Sequence, residues 1–256
     1  MDDLYASWAR VYDYFYPSRC DEADLWARLA RPYGRRGLDL MRGTAEVSLG
    51  LARQGFRVLG LDRSPAMLAV AGERLAAAAD YPARSLGLVQ GGAGSIPTSD
   101  DQLDFALAGG NGSFNHLGDE KGPLALRELS RVLRPGGGLG LELVNPHLLQ
   151  EIEPERVFGP LRPTPPGMRL ERRVHTRHEP AAGLFHIRQV TLCERAGQCV
   201  EFEESFALHI REPDEIRAWL QAAGFEGLRF FGGHALEPFG RWSSDLLVLA
   251  TVHPAH

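Results

Sequence analysis

The sequence is poor in the residues and patterns that mark several common classes of protein. It has three cysteines, which lack metal-ligand spacing and are expected to be free, buried or half-buried thiols: Cys20, Cys193 and Cys199. No compact group of His, Asp and Glu has metal spacing, so no metal is predicted. No apolar run approaches the roughly 18 residues that span a bilayer, and the N-terminus has no basic segment followed by an apolar core. These absences predict a cytoplasmic protein without a membrane partner.

Positive charge is not in excess, because the formal net charge is -5 at pH 7. A protein of this charge has no basic face to neutralise nucleic-acid phosphates, so a small-molecule substrate is favoured over a nucleic acid. What is present is an ordinary globular composition, 44% hydrophobic and 24% charged over 256 residues. This length allows one large domain or a domain with an insert.

The most informative stretch is 37–70, which reads as strand, glycine turn, helix, strand and the start of a second helix. Leu38–Leu40 is a short apolar run before the turn at Gly43, and the second strand, Arg57–Leu61, stops at Asp62. Parallel strands joined by a helix cross over right-handed, so the turn and the acid lie together at the carboxyl edge of the sheet. A carboxylate there can accept hydrogen bonds from both hydroxyls of a ribose. The stretch therefore predicts a nucleotide-binding edge.

The same stretch resembles the first two motifs of class I S-adenosylmethionine-dependent methyltransferases, with LDL before a Gly-Thr turn and then LGLDRSPAML. In that family the acid after strand two holds the cofactor ribose, and a methionine of the next helix lies near the adenine. Asp62 and Met67 occupy these positions. The resemblance implies S-adenosylmethionine as cofactor and six cofactor-binding residues: Asp39, Gly43, Asp62, Met67, Ala93 and Gly109.

Three departures from the family pattern fall where the cofactor would lie. The usual turn is Asp-x-Gly-x-Gly-x-Gly, whereas this chain has Asp39, Met41, Gly43 and Ala45. A side chain in left-handed geometry costs about 1–2 kcal/mol, so Met41 is the costliest change. Gly92 stands where the family commonly has an acid. These departures support an alternative, a methyltransferase-like binding or partner subunit without activity. A nicotinamide-dependent dehydrogenase is disfavoured, because no Gly-x-Gly-x-x-Gly follows the first strand.

The first 36 residues are rich in aromatic side chains. Four apolar residues recur at helical spacing and predict a helix packed on the core: Leu4, Trp8, Val11 and Phe15. The alternative is that tyrosines of this segment cover the active site, where a sulfonium cation against an aromatic face gains roughly 0.5–2 kcal/mol. The family resemblance makes Tyr5 and Tyr12 candidates for this lid, and Tyr12 is a candidate catalytic residue.

A predicted fourth strand, Leu103–Leu107, leads into the polar, glycine-rich loop AGGNGSFNHLGD at the same edge of the sheet. Its SFNHL segment resembles a Ser-x-x-His-Leu pattern of small-molecule N- and O-methyltransferases. His116 is therefore the candidate general base, since an imidazole titrates near pH 6.5 and can take a proton from the acceptor. The alternative, given equal weight, is that His116 only braces the loop. Asn111 and Ser113 are expected to be loop formers.

The remaining core follows the same family order. The segment ELSRVLRPGGGLGLELVNP resembles the helix, Pro-Gly-Gly turn and fifth strand of the class, and the helix is expected over Leu124–Leu133. A helix over Pro213–Ala223 and two strands, Leu228–Phe231 and Leu246–Val252, complete the sheet. The resemblance implies that the last strand is antiparallel.

Between these parts, three segments alternate apolar and polar residues and predict antiparallel strands: Leu170–His178, Leu184–Glu194 and Cys199–Leu208. Their cations form a strip that either meets an acidic substrate or, as the favoured alternative, is a solvated face. The strip comprises Arg172, Arg173, His175, Arg177, His186 and Arg188, and the balancing acids are Glu194, Glu201, Glu203 and Glu204. The insert can shield the active-site mouth, and it is a candidate homodimer interface.

The sequence therefore predicts an α/β fold, a doubly wound seven-stranded Rossmann-like methyltransferase sheet with an inserted antiparallel β sheet. The expected division is an N-terminal helical lid (1–36), a Rossmann-like core (37–146 and 210–256) and a β insert (147–209). The resemblance implies methyl transfer from S-adenosylmethionine to an oxygen or nitrogen of a small molecule, by in-line displacement and without a metal.

Overall fold

The structure is a computed structural model and describes residues 3, 5–78, 80, 84–110 and 112–253. Within these ranges the chain forms a seven-stranded sheet and a separate four-stranded sheet. The strands, in chain order, are β1 (Arg36–Leu40), β2 (Arg57–Asp62), β3 (Leu86–Gln90), β4 (Leu103–Ala108), β5 (Leu133–Val144), β6 (Glu155–Phe158), β7 (Met168–Glu179), β8 (Leu184–Arg195), β9 (Gln198–His209), β10 (Phe225–Phe231) and β11 (Asp245–Val252). The predicted fold, a doubly wound sheet with an inserted antiparallel sheet, is confirmed.

The large sheet has the strand order β10-β11-β5-β4-β1-β2-β3. Strands β1 to β5 pair in parallel, and β11 lies antiparallel between β5 and β10, as the family resemblance implied. The strand order reverses between β1 and β4, and open α/β sheets bind ligands outside the carboxyl ends of the strands at such a point. The turn after β1 and the acid after β2 both lie at that edge.

Helices cover both faces of the sheet: α1 (Cys20–Ala30), α2 (Glu46–Arg53), α3 (Pro65–Ala77), α4 (Lys121–Val132) and α5 (Pro213–Ala222). On one face Trp26 of α1 packs with Leu51 of α2 and Phe105 of β4. On the other, Leu129 of α4 and Ile216 of α5 join the core. Burying such side chains contributes about 1.5–3 kcal/mol each, which keeps the strand ends in place.

The first turn of α3 is set by its capping residues. The Ser64 hydroxyl accepts a hydrogen bond from Met67 N–H at 3.1 Å, and Pro65 occupies the first helical position. Because the helix starts directly after β2, its first turn places Met67 beside Asp62 at the carboxyl edge.

The turn after β1 has a left-handed backbone at all three motif positions, although only one of them is a glycine. Met41, Gly43 and Ala45 have φ values of 56°, 56° and 63°, all in the left-handed region. The strain expected at Met41 is therefore present, at about 1–2 kcal/mol. Gly43 has open space where a side chain would begin, since an added Cβ would meet nothing within 4 Å.

The insert contains one strand more than predicted. The three predicted strands are confirmed with slightly longer ends, and the four-residue β6 pairs with β7 as the edge strand. It lies in the proline-rich stretch after the core, where so short a strand shows no sequence period. The edge strand matters because two of its side chains face the cavity described below.

The helix predicted from Trp8, Val11 and Phe15 is wrong. The backbone forms turns and a 3₁₀ helix, Tyr12–Phe15, and Leu4 of the same pattern lies outside the described residues. Pro17 disfavours helical geometry at the residue before it, and the Tyr14 carbonyl accepts N–H hydrogen bonds from the insert instead. The three side chains pack against Leu170 of β7, so their partner is the insert and not the core.

The free thiols were expected to be buried or half-buried, which is correct only for Cys193. Cys20 and Cys199 are exposed, because Cys20 opens α1 on its solvent side and Cys199 lies beside the β8–β9 turn. None of the three is in a disulfide.

Two glycine substitutions isolate the cost of left-handed backbone strain from the effect of adding a methyl group. Gly43 and Gly92 both have room for a Cβ, but only Gly43 has a positive φ. We expect Gly43→Ala to lower the free energy of unfolding by about 1–2 kcal/mol through left-handed strain. Gly92→Ala should change it by less than about 0.5 kcal/mol. Urea unfolding measures both, and equal losses in the two variants would contradict the assigned geometry.

Candidate active site

A cavity of about 260 Å³ lies at the carboxyl edge of the large sheet and is bounded by the N-terminal segment, the turn after β1 and the insert. Its size is just below the lower end of the usual range for ligand pockets, about 300–1,000 Å³. Six predicted site residues line it: Tyr12, Gly43, Asp62, Met67, Ala93 and His116. Asp39 and Gly109 do not line it and lie in a smaller buried pocket behind the turn. Gly110 lines the cavity in place of Gly109.

Asp62 is fixed by two backbone hydrogen bonds. Its Oδ2 accepts from Gly43 N–H at 2.7 Å, and its Oδ1 accepts from Ser64 N–H at 2.9 Å. The residue is only 8% exposed, yet it lines the cavity. Because each carboxylate oxygen can accept two hydrogen bonds, both oxygens can still accept a ligand hydroxyl. Asp62 is therefore a preorganised acceptor for a pair of hydroxyls.

Asp39 supports the turn from behind. Its carboxylate accepts a hydrogen bond from the Ser48 hydroxyl of α2. Burial raises the pKa of Asp39 to about 6, against the Ser48 hydrogen bond and the charges of Arg19 and Arg42, which lower it. This contact joins β1 to α2, so the residue shapes the turn without reaching the cavity.

Arg42 is a buried cation inside the turn. It is 4% exposed, and its Nη1 donates to the Gly43 carbonyl at 2.9 Å. Its Nε and Nη2 have no hydrogen-bond partner in the described part of the chain. Burial lowers the pKa of Arg42, and the charges of Asp39 and Asp62 oppose that change. Gly60 makes room for it, because a Cβ there would overlap the arginine side chain.

His116 and Tyr5 form a polar pair at the cavity wall. The Tyr5 hydroxyl lies 3.4 Å from His116 Nε2, and the imidazole packs against Phe206 with ring centroids 5.1 Å apart. Burial, followed by the charges of Arg63 and His209, lowers the pKa of His116 to about 4. Burial also raises the pKa of Tyr5. At neutral pH both side chains are therefore uncharged, and the imidazole can orient a polar hydrogen of a ligand.

The N-terminal aromatic residues form one wall of the cavity. The Tyr12 ring lies 5.0 Å from Trp8 and 4.5 Å from Tyr16, measured between centroids. Asp13 holds this wall to the turn, because it accepts a hydrogen bond from the Thr44 hydroxyl at 2.8 Å. It also forms an ion pair with Arg74 of α3.

The loop after β4 is braced by its polar side chains. Asn115 accepts from Val144 N–H at 2.9 Å and donates to the His209 carbonyl at 2.8 Å, so it joins β5 of the core to β9 of the insert. The Ser113 hydroxyl donates to the Gly109 carbonyl at 3.2 Å, which agrees with the predicted loop-forming role. Asn111 lies outside the described residues.

Two features are absent from the described residues, a metal site and a membrane-spanning helix. No group of three or more His, Cys, Asp or Glu side chains within the described ranges is arranged to hold a metal ion. No helix in that part of the chain is both long and apolar enough to cross a bilayer.

Comparison with known proteins identifies the domain. Residues 38–137 match the family model of a methyltransferase domain. This match covers less than half of the chain, and it makes that part similar to methyltransferases. A 2-phytyl-1,4-naphtoquinone methyltransferase of Synechococcus elongatus is 36% identical over 120 residues, which are 44% of this chain and 49% of that protein. The chain spans less than two thirds of the length of this relative and of the other leading curated relatives.

Two solved methyltransferase structures resemble the whole fold. CcbJ from Streptomyces caelestis is 21% identical, with a TM-score of 0.79 over 99% of this chain and 98% of CcbJ. CalS10, an amino pentose methyltransferase from Micromonospora echinaspora solved with S-adenosylmethionine bound, is 25% identical, with a TM-score of 0.70 over 94% of each chain. The predicted fold is therefore confirmed, and the predicted family agrees with the domain match at residues 38–137.

Several cavity residues were not predicted from the sequence. Arg19, Arg42, Arg156 and Arg172 all line the cavity. Arg42 had a usable signal, since it directly precedes the only family glycine kept in the turn. Arg19 and Arg156 had none, because they lie outside any motif. Arg172 belonged to the predicted solvated strip, and that interpretation is wrong for this residue because its side chain faces inward.

The buried imidazole of His116 should make the stability of the protein depend on pH. The folded pKa of His116, about 4, lies below its usual value of 6.5, so between these values the unfolded state binds the extra proton. The contribution of His116 to the free energy of unfolding should therefore fall by about 2–3 kcal/mol as the pH drops from 7 to 4.5. His116→Gln should remove this part of the loss, as measured by urea unfolding at several pH values.

The contribution of Asp39 to stability changes with pH in the opposite direction to that of His116. Its folded pKa, about 6, is above its usual value, so its contribution to stability is lost as the pH rises through that range. The comparison of wild type with His116→Gln cancels this term, since both contain Asp39. An identical pH dependence in the two proteins would contradict a buried neutral His116.

Proposed function

We propose that this chain binds S-adenosylmethionine at the carboxyl edge of its large sheet and transfers the methyl group to an oxygen or nitrogen of a small molecule. The observation that carries the proposal is the Asp62 carboxylate, held by Gly43 and Ser64 at the end of β2 and lining the cavity. The amino pentose methyltransferase CalS10 supports an acceptor that is an amine or hydroxyl of a small polar molecule.

The residues around the cavity fit an adenosine-bearing ligand. Asp62 offers acceptors for the two ribose hydroxyls, and Met67 and Ala93 offer buried apolar contact for a base. An added Cβ at Gly43 or Gly92 would meet nothing within 4 Å, so both positions leave room for the ligand. Asp39 and Gly109 take a supporting role in the proposal, behind the turn and next to Gly110.

When bound, S-adenosylmethionine would supply a methyl group on a sulfonium: an acceptor lone pair would form the new bond to the methyl carbon, the C–S bond would break, and S-adenosylhomocysteine would leave. The chain contributes mainly by alignment, which accounts for about 7–11 kcal/mol in well-oriented reactions. Tyr12 and Tyr16 offer ring faces to the cationic part of the ligand, a contact of roughly 0.5–2 kcal/mol. His116 would accept a hydrogen bond from the N–H or O–H of the acceptor and so orient its lone pair, and Tyr5 orients the imidazole. With a pKa near 4, His116 is better suited to orienting the acceptor than to holding its proton.

The lid, core and insert form the working parts of the proposal. The bounds of these parts stay a prediction: 1–36 for the lid, 37–146 and 210–256 for the core, and 147–209 for the insert. A homodimer through the insert and a cytoplasmic location also stay predictions. The inactive partner subunit remains the alternative, and its main support, Met41 and Ala45, is weakened because both residues keep the left-handed backbone of the motif.

Replacing the anchoring acid tests the proposal directly. We expect Asp62→Asn to weaken binding of S-adenosylmethionine by about 10- to 100-fold, the effect of losing a hydrogen bond to a charged group. Asp100→Asn is the matched control, because Asp100 is exposed and pairs only with Arg131 in the described part of the chain. Isothermal titration calorimetry measures both, below the melting temperature of each variant. Absence of binding to the wild type would favour the inactive subunit.

A further inference from the structure

One face of the four-stranded sheet forms a wall of the cavity, and it is not uniformly apolar. Side chains alternate across the strands, so every second residue points inward. Arg156 and Phe158 of β6, Arg172 of β7 and Gln189 of β8 all line the cavity. Two cations thus lie on the inner face of the insert, where a solvated strip would not place them.

Arg172 is enclosed by aromatic rings. It is 7% exposed, and its guanidinium carbon lies 4.6 Å from the Phe15 ring centroid and 5.5 Å from that of Phe158. Arg156 lies over the same Phe158 ring at 5.1 Å. Two guanidinium groups are therefore held against one aromatic side chain, beside the same cavity.

The outer arginines of the insert are neutralised, whereas the inner pair is not. On the outer face, Arg173 pairs with Glu171 at 2.9 Å and Arg188 pairs with Glu203 at 2.7 Å. Within the described residues, neither Arg156 nor Arg172 forms an ion pair with a carboxylate.

Glu204 is the acid that acts on Arg172 at longer range. Its carboxylate accepts a hydrogen bond from the Ser7 hydroxyl at 3.2 Å and another from Gln189 at 3.5 Å. Burial raises the pKa of Glu204, and its hydrogen bonds to Ser7 and Gln189 and the charge of Arg172 oppose that change. Because two arginines lie on this face with one carboxylate, the inner face keeps excess positive charge.

The part of the cavity next to the insert also has an excess of hydrogen-bond donors. The Nε atoms of Arg156 and Arg172 and Nε1 of Trp8 are buried and have no acceptor among the described residues. Each buried donor left unpaired costs about 1–3 kcal/mol, more when it is charged. All three residues line the cavity, so a ligand rich in acceptor oxygens can satisfy them.

We infer that the methyl acceptor carries an anionic group, a carboxylate or a phosphate, which binds to Arg156 and Arg172 on the inner face of the insert. The guanidinium fork matches either group through paired hydrogen bonds, and the surrounding rings keep water away from the ion pair. The inference rests on the proposed function for the identity of the ligand as acceptor, but the anion site itself can be tested independently.

The test is calorimetric titration of the intact protein with inorganic phosphate and with succinate, at constant ionic strength, with and without saturating S-adenosylhomocysteine. At least one anion should bind in the millimolar range. Arg156→Gln and Arg172→Met should each weaken that binding by about 10- to 100-fold. Arg173→Gln is the matched control, since it removes the same charge from the outer face of the same strand as Arg172, and it should leave binding unchanged. A response to one anion alone supports the inference and identifies the group.

Three outcomes would overturn the inference. Neither anion binds to the wild type, or Arg173→Gln weakens anion binding as much as Arg156→Gln and Arg172→Met do, or these two inner variants weaken the binding of S-adenosylhomocysteine and not that of the anion. If Arg172→Met fails to fold by circular dichroism, Arg156→Gln decides, because Arg156 is half-buried on an edge strand. Anion binding without S-adenosylhomocysteine binding would reject the proposed function and leave the anion site in place. S-adenosylhomocysteine binding without anion binding would reject the anion site and leave the proposed function in place.

Discussion

The Asp62 carboxylate is the contact on which the cavity depends. One oxygen accepts the N–H of Gly43 and the other that of Ser64, so a single side chain joins the turn after β1, the end of β2 and the start of α3. Hydrogen bonds to a charged group contribute about 1.5–3 kcal/mol each, comparable with the left-handed strain stored at Met41 and Ala45. The acid thus holds the turn in a conformation that its residues do not prefer.

Around this contact, polar side chains join parts of the chain that are distant in sequence. Asp13 connects the aromatic wall to the turn through Thr44, and Asn115 connects the core to the insert between β5 and β9. The cavity is therefore built from three regions with different chemistry. The sheet edge offers acceptors, the N-terminal segment offers aromatic faces, and the insert offers positive charge.

The sequence was sufficient for the features that depend on local pattern. The β1–α2–β2 unit and the start of a helix after Asp62 follow from apolar runs, turn residues and caps that lie within a few positions of one another. Asp62 was found for the same reason, whereas Gly43 and Met67 came from the family resemblance. The structure brings all three to one cavity, and their cofactor roles stay predictions. The antiparallel last strand of the large sheet also came from the family resemblance.

Other features depend on tertiary context and were missed. The N-terminal rings have helical spacing, but their backbone carbonyl at Tyr14 is taken by the insert. Arg172 and Arg173 are adjacent in sequence and equal in charge, and only the burial of one sheet face separates a cavity residue from a solvated one. Sequence alternation gives the period of a strand, but it does not say which face a neighbouring segment will cover.

The turn after β1 bears on how distant relatives are recognised. A search that counts glycines finds one of the three motif positions here, whereas a comparison of backbone torsions finds all three, because Met41, Gly43 and Ala45 share nearly the same φ. In this chain all three positions adopt the left-handed torsion that favours glycine, whichever residue occupies them. A sequence pattern that requires glycine at each position therefore misses this turn, whereas a description by main-chain torsion includes it.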